Sequence, residues 1–252
     1  MDVVMDRLRS LLTKNELQGF TVVELMITLV IGSFISAGIL LALTSQNQSY
    51  IVQGQVAEMQ QNLRGGILLI QKEMRLAGYD PEGAGCSGFT SATPTSAVFD
   101  MDSDRDGTCE TYTYSYIQGT REIQRIFSDP ANPSTASTSI VADNIDGVEF
   151  LYILGDGTPE TTTPSNPADV EAVRITLLSR AKQPDRHFTN STNYFPASCP
   201  QPASPALPDD SCVAGTVWDF DGVVDNKNSF DDNYRRRLLF SMVQCRNLKL
   251  GI

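Results

Sequence analysis

The chain has 252 residues, and its 30 acidic side chains outnumber the 19 basic ones, which gives a net charge of −11. An acidic surface lacks the basic patches that bind nucleic acid, so we expect no direct nucleic-acid binding. The sequence contains no phosphate-binding loop or nucleophile elbow, and its one histidine, His187, lies in a predicted loop. We therefore predict that the protein is not an enzyme. Its length suits one sizeable globular domain on a stem.

The first predicted element is an apolar run of 24 residues, Phe20–Leu43, which contains one ionisable side chain, Glu24. A helix crosses a bilayer with roughly 20 apolar residues, so this run is long enough to span a membrane. A carboxylate inside a span costs about 2.5–3.5 kcal/mol and therefore indicates a function. A secretory signal peptide has a shorter apolar region of about 7–15 residues. A plain single-pass anchor remains the alternative.

Basic residues on one side of this run predict its orientation. Arg7, Arg9 and Lys14 precede it, whereas Thr44–Leu63 contains no lysine or arginine. The positive-inside rule then leaves the leader in the cytoplasm and the bulk of the chain on the other side. Disulfides form in that compartment.

The pattern of a helix continues beyond the apolar run. From position 51 onward, apolar residues recur at steps of four and three, the spacing of one helical face. These residues are Val52, Val56, Met59, Leu63, Ile67, Ile70 and Met74. We predict one helix from Phe20 to about Ala77, apolar all round in its first half and amphipathic in its second half, with Gly78 as its stop signal.

The chain after Gly78 has the pattern of a β-rich domain. Predicted loops are Ser87–Thr95, Gly157–Ala168 and a proline-rich insert at 183–214. The predicted strands are Ser96–Met101, Glu110–Gln118, Arg121–Ile126, Val148–Leu154, Val170–Leu178 and Arg236–Asn247. A long N-terminal helix packed against an antiparallel β-sheet of consecutive strands is an α+β fold.

The segment Asp102–Gly107 has three carboxylates at alternate positions and a glycine for a sharp turn, as in the first half of a calcium loop. The candidate ligands are Asp102, Asp104, Asp106, Thr108 through its backbone carbonyl, and Glu110. The twelfth position holds Thr113 instead of an acid and no helix flanks the loop, so it is not an EF-hand. Two interpretations stay open: a strand-flanked calcium loop, completed by Asp100 or Glu110, and a solvated acidic turn.

A second acidic cluster gives a weaker metal signal. It contains Asp219, Asp221 and Asp225, and its Asp-Gly dipeptide is equally typical of a simple turn. We expect the carboxylates of both clusters to sit in turns without the apolar surroundings that would raise their pKa values for acid–base catalysis.

Five cysteines are present, so at least one lacks an intrachain partner. We predict a disulfide between Cys199 and Cys212, which would close the proline-rich loop, and another between Cys86 and Cys109, which would tie the loop after the helix to the sheet. Cys245 is expected to be a small buried hydrophobic residue. The sequence leaves other pairings open.

The junction Gly19-Phe20-Thr21, the position of Glu24 and the basic leader together resemble the type IV prepilin signal. The stretch Gln61–Asp80 resembles the PilW branch of the minor pilins, and Asn233–Leu248 resembles the C-termini of that branch and of minor pseudopilins. This resemblance implies the pilin fold, with a leader at 1–19, an assembly helix at 20–43, an amphipathic helix at 44–78 and a globular head at 79–252.

The resemblance also implies how the chain is processed. A prepilin peptidase would cut between Gly19 and Phe20 and methylate the new amino terminus, which makes Phe20 an N-methylphenylalanine. Glu24 would then pair with the amine of a neighbouring subunit and set axial register during assembly. Its position near the positive end of the helix dipole favours a carboxylate. The alternative is a carboxylate that only reaches toward the membrane surface.

The implied function is that of a minor type IV pilin that initiates pilus assembly and takes a place at the pilus tip. Its partners would be other minor pilins, the major pilin, the prepilin peptidase and the inner-membrane assembly machinery. It would begin as a single-pass protein of a Gram-negative inner membrane, with a periplasmic head, and end in the extracellular pilus. Two alternatives are a minor pseudopilin of a type II secretion system and a membrane-tethered calcium-binding or adhesive module that never polymerises.

Overall fold

The computed structural model describes residues 19–160, 164–192, 194–198 and 232–245. The chain divides into two compact units, with the boundary after Ile51. One long helix and antiparallel β-sheets give the α+β, pilin-like architecture that the sequence predicts.

Helix α1 comprises the 53 residues Val22–Met74. All of its residues up to Ile51 are exposed, although nearly all of the first 22 are apolar or small. Its most apolar window has a mean hydropathy of 2.4 and no buried residue. By length and composition α1 is suited to cross a membrane, as in a single-pass membrane protein or a signal anchor.

The second part of α1 lies in the second unit and buries one face. The predicted apolar face is confirmed there, with Val52 and Val56 half-buried at its beginning. The buried residues of the helix are Met59, Leu63, Gly66, Ile67, Ile70 and Met74. Four of them, Leu63, Ile67, Ile70 and Met74, pack against side chains from both sheets in one hydrophobic core, so this part of the helix is held by tertiary contacts.

The α-helix ends at Met74, three residues before the predicted end. The N–H groups of Leu76, Ala77 and Tyr79 each donate to a carbonyl three residues earlier, at 2.8–3.2 Å, so the last turn is tighter than an α-helix. Gly78 then adopts a φ of 73°, which glycine reaches without strain. The predicted stop signal is confirmed.

The first sheet is a five-stranded antiparallel meander, in chain order. Its strands are β1 Phe89–Thr93, β2 Ser96–Met101, β3 Glu110–Ile117, β4 Glu122–Ser128 and β5 Ser137–Ala142. The side chains of β3 alternate between two faces: Tyr112 and Tyr114 are buried, with Tyr116 half-buried on the same face. Tyr112 and Tyr114 stack on Phe99, with ring centroids 5.7 and 6.2 Å apart.

A second antiparallel sheet has the order β7-β6-β8-β9. Its strands are β6 Ile145–Leu154, β7 Pro159–Glu160, β8 Val170–Arg180 and β9 Arg236–Gln244. Strand β8 pairs with β6 on one side and with β9 on the other, so the chain after the insert returns beside β8. A single meander was predicted; the strands form two sheets instead.

Three strands were missed. The prediction of a loop at Ser87–Thr95 is wrong, because β1 pairs with β2 there and buries Phe89 and Ala92. Strand β5 escaped detection because its sequence, STSIVA, is polar at first and its first four residues are exposed, so it shows no hydrophobic alternation. Strand β7 has two residues within the predicted loop Gly157–Ala168.

Candidate functional site

The amino end of α1 is closed by reciprocal hydrogen bonds between Thr21 and Glu24. The N–H and hydroxyl of Thr21 donate to Glu24 Oε2 at 3.0 and 2.9 Å, and the N–H of Glu24 donates to Thr21 Oγ1 at 3.2 Å. This is a capping box, in which two side chains satisfy N–H groups that an isolated helix end leaves free. The sequence signature of a capping box, Thr-x-x-Glu, is present at residues 21–24.

The carboxylate of Glu24 is exposed, as are Gly19 and Phe20, which precede the helix. A carboxylate accepts several hydrogen bonds, so capping its own helix does not prevent Glu24 from accepting another donor. Cleavage after Gly19 would leave Thr21 in the chain and place a new amine at Phe20. The end of α1 therefore combines a fixed carboxylate with an accessible predicted processing site.

The acidic loop lies between β2 and β3 in the first sheet. Asp102 directly follows β2 and Glu110 is the first residue of β3, and the pairing of Met101 with Glu110 closes the hairpin at that point. The cluster formed by Asp102, Asp104, Asp106 and Glu110 offers four carboxylate oxygens that all lie within 4.8 Å of one another. The loop is flanked by strands, as the sequence indicated.

Two members of this cluster are buried. Asp102 is 0% and Glu110 is 1% exposed, whereas Asp104 and Asp106 are exposed. Burial raises the pKa of Glu110, and the nearby charge of Asp104 raises it further. The expectation that these carboxylates lack apolar surroundings is therefore wrong for Glu110. This residue is the first of β3 and is buried with that strand.

Each buried carboxylate uses one oxygen within the loop. Asp102 Oδ1 accepts the N–H of Arg105 at 2.7 Å, and Glu110 Oε2 accepts the N–H of Ser103 at 2.6 Å. The other oxygens, Asp102 Oδ2 and Glu110 Oε1, are buried and have no hydrogen-bond partner in the described part of the chain. Leaving a buried acceptor unsatisfied costs about 1–3 kcal/mol, and more for a charged group.

The remaining predicted ligands behave differently. Thr108 donates its N–H to Asp106 Oδ1 at 2.8 Å and its hydroxyl to the same oxygen at 2.5 Å. Asp100 does not join the cluster: its Oδ1 accepts the Thr111 hydroxyl at 2.9 Å, and burial raises its pKa. Of the two residues expected to complete the cluster, the structure brings Glu110 into it.

A disulfide joins Cys86 to Cys109, so this predicted pair is confirmed. Cys109 directly precedes Glu110, and the bond ties the acidic loop to the segment that follows α1. In that segment Asp80 accepts the N–H groups of Ala84, Gly85 and Cys86 at 2.7–3.2 Å, and these hydrogen bonds lower its pKa. The post-helix segment is thus held by a covalent bond and by a carboxylate.

Cys245 is buried and unpaired, as predicted, and burial raises the pKa of its thiol to about 12. Other predictions lie outside the described residues. They are the leader up to residue 18, the disulfide Cys199–Cys212, the second acidic cluster Asp219, Asp221 and Asp225, and part of the insert 183–214.

Sequence reasoning missed a polar link between α1 and the first sheet. Glu73 Oε2 accepts the Tyr114 hydroxyl at 2.5 Å and the Arg125 Nε–H at 2.8 Å. The Arg125 guanidinium lies 5.0 Å from the centroid of the Tyr112 ring. Burial and the charge of Glu73 raise the pKa of Tyr114. No local sequence pattern predicts this link, because Tyr114 and Arg125 lie 41 and 52 positions from Glu73 in the chain.

The buried carboxylate of Asp146 is also compensated by arginines. Its oxygens lie 3.2 Å from Arg121 Nε, 3.6 Å from Arg180 Nε and 2.7 Å from Arg236 Nε. The acidic loop lacks such compensation, since neither Asp102 nor Glu110 has a lysine, arginine or histidine partner among the described residues.

In a comparison with known proteins, the chain matches no family model and no curated protein.

Proposed function

We propose that the protein is a minor type IV pilin, a structural subunit that helps to initiate the pilus and takes a place at its tip. One observation carries the proposal: an exposed apolar helix has a single acid at its capped amino end and continues into an amphipathic helix that packs on β-sheets. The residues that resemble the prepilin signal, Gly19, Phe20 and Glu24, lie at that same end.

The exposed apolar half of α1 needs an apolar environment that the described residues do not supply, because such a surface is costly in water. A bilayer supplies this environment before assembly, and neighbouring helices of the same kind supply it in a fibre. Contact between long aliphatic side chains is only weakly directional, so a polar pair would add a specific contact that fixes the axial register of the helices. A new amine at Phe20 of one subunit and Glu24 of another would form this pair.

The proposal includes the steps that precede assembly. The chain would be held in the inner membrane of a Gram-negative bacterium with its leader in the cytoplasm and its head in the periplasm. A prepilin peptidase would cut after Gly19 and methylate Phe20. The matured protein would then join other minor pilins, the major pilin and the inner-membrane assembly machinery.

Substitutions at Glu24 and Thr21 test the role of the carboxylate in a host that assembles type IV pili. Glu24→Gln retains an oxygen that can cap the helix but removes the charge, and Glu24→Ala removes both. Thr21→Val removes the capping hydroxyl and keeps the charge. We expect mass spectrometry to show cleavage after Gly19 and one added methyl group in all three variants. Sheared fibres should contain the wild type and Thr21→Val, and should lack both Glu24 variants.

Normal incorporation of Glu24→Gln would overturn the pairing of Glu24 with an amine. Isolation of the wild type with Met1 as its first residue, without a methyl group, would overturn the whole proposal. Mature protein that stays in membranes and never enters fibres would instead identify the tethered module. Co-purification with secretion pseudopilins rather than pilins would identify the subunit of a type II secretion system.

A further inference from the structure

We propose that the acidic loop between β2 and β3 binds one calcium ion through Asp102, Asp104, Asp106 and Glu110, and that this ion fastens the post-helix segment to the first sheet. This site belongs to the globular unit and does not depend on whether the chain enters a pilus.

The spacing of the four carboxylates suits one calcium ion. Calcium takes oxygen ligands at about 2.3–2.6 Å, so two oxygens on opposite sides of one ion are about 4.6–5.2 Å apart. The four candidate oxygens lie within 4.8 Å of one another, which places every pair inside that limit. Four carboxylates leave room for backbone carbonyls and water to complete the six to eight ligands that calcium prefers.

Burial supplies an independent reason for a cation. Asp102 Oδ2 and Glu110 Oε1 accept no hydrogen bond from the described part of the chain. Water does not replace the missing donors, because Asp102 is 0% and Glu110 is 1% exposed. Elsewhere in the same unit, the half-buried Glu73 and the buried Asp146 are compensated by arginines at 2.7–3.6 Å. The buried Asp129 and Glu149 instead accept N–H and hydroxyl groups. An uncompensated buried carboxylate is costly. A bound cation would compensate both residues at once.

The chemistry of the ligands selects calcium among the common ions. All four side chains offer hard oxygen atoms, and the nearest cysteine, Cys109, is held in a disulfide and offers no thiolate. Zinc and copper prefer nitrogen and sulfur ligands. Magnesium demands near-ideal octahedral geometry at about 2.0–2.1 Å and keeps several waters. Calcium accepts variable geometry, which suits ligands that come from an irregular loop.

The ligands are continuous with the backbone that holds the end of α1. The N–H of Asp102 donates to the Tyr79 carbonyl at 2.7 Å, and the N–H of Gly78 donates to the Asp100 carbonyl at 2.9 Å. The disulfide partner of Cys86 directly precedes the ligand Glu110. An ion that binds the loop only in its folded state would therefore stabilise this junction. The size of the effect depends on the concentration of the ion and on its affinity.

Isothermal titration calorimetry on the full-length protein in detergent tests the site after removal of cations with a chelator. We expect one calcium ion per chain, with an affinity of about 10⁻⁴–10⁻³ M as in extracellular calcium modules, and weaker binding of magnesium. Asp102→Asn and Asp104→Asn should each weaken calcium binding at least about tenfold, since each removes a charged ligand. Saturating calcium should raise the melting temperature of the wild type.

Asp156→Asn is the matched control. Asp156 is an exposed turn aspartate whose Oδ1 accepts the N–H of Thr158 at 2.8 Å, as Asp106 accepts that of Thr108, but it lies outside the cluster. This variant should bind calcium like the wild type. Asp104 is exposed, so its variant keeps the test valid if Asp102→Asn fails to fold.

Absence of a binding heat at millimolar calcium would overturn the proposal. Equal affinities in Asp104→Asn and Asp156→Asn would do so as well, because the ion would then bind elsewhere. If Glu110→Gln stabilised the protein and the wild type showed no calcium response, a shared proton would be the partner of the buried acids, and the calcium site would be ruled out.

Discussion

The two parts of α1 share a helical backbone but differ in how their apolar side chains are buried. Up to Ile51 the helix is exposed throughout and rich in apolar residues, whereas from Met59 to Met74 it has an apolar face that is buried and a polar face that is not. Secondary structure is therefore the same in both parts, and the environment differs. The apolar side chains of the first part have no buried contacts among the described residues, and the second part finds its partner in the core of its own unit.

The two glutamates near the ends of α1 show the same difference. Glu24 is exposed and caps its own helix through Thr21, three residues away. Glu73 is mostly buried and binds Tyr114 and Arg125 of the first sheet. A carboxylate that acts locally remains available to a partner, whereas a carboxylate that joins distant elements is committed to the fold. This contrast predicts which substitutions affect stability and which affect only assembly.

The largest effect on stability is expected from Ile70→Ala. Ile70 is 0% exposed and packs in the core, so its truncation should lower the free energy of unfolding by about 2–5 kcal/mol. Ile35 lies in the first part of α1 and is 58% exposed, so Ile35→Ala should change the free energy of unfolding by less than about 0.5 kcal/mol. Urea unfolding of the protein in detergent, followed by circular dichroism, measures both. Equal effects would contradict the division of α1.

A smaller effect is expected from Glu73→Gln. The amide keeps the shape of the side chain and loses the charge that faces Arg125, so we expect a loss of about 1–3 kcal/mol. Glu58→Gln is the control, since Glu58 is an exposed residue of the same helix. It should stay within about 0.5 kcal/mol of the wild type. A loss as large in the control would show that the effect of Glu73→Gln does not come from its link to the sheet.

The smallest effects should separate two adjacent glycines in α1. A Cβ on Gly65 would meet no atom within 4 Å, so Gly65→Ala should stabilise the protein by about 0.5–1 kcal/mol. A Cβ on Gly66 would lie 3.1 Å from Ala142 Cβ and 3.5 Å from the Val141 carbonyl oxygen, which is close enough to offset that gain. Gly66→Ala should therefore be neutral or destabilising. A stabilising Gly66→Ala would show that β5 does not approach the helix as closely as described.

Local patterns in the sequence predicted much of this molecule. The apolar and amphipathic parts of α1, its glycine stop and strands β2 and β3 follow from the spacing of residues that are neighbours in the chain. The carboxylates of the acidic loop were also recognised from their alternate spacing. Strand β5 and the division into two sheets were not predicted, because they depend on pairing between distant segments.

The sequence by itself therefore determined a long helix with one acid at its amino end, a β-rich unit after it and a loop with the ligand types for calcium. The tertiary structure alone decided which carboxylates are buried. Closure of the β2–β3 hairpin buries Asp102 and Glu110, while packing on the sheets places an arginine beside Glu73 and another beside Asp146. The physical reason is that the charge of a side chain is written in the sequence, whereas its loss of water and its partner depend on segments that meet only when the chain folds.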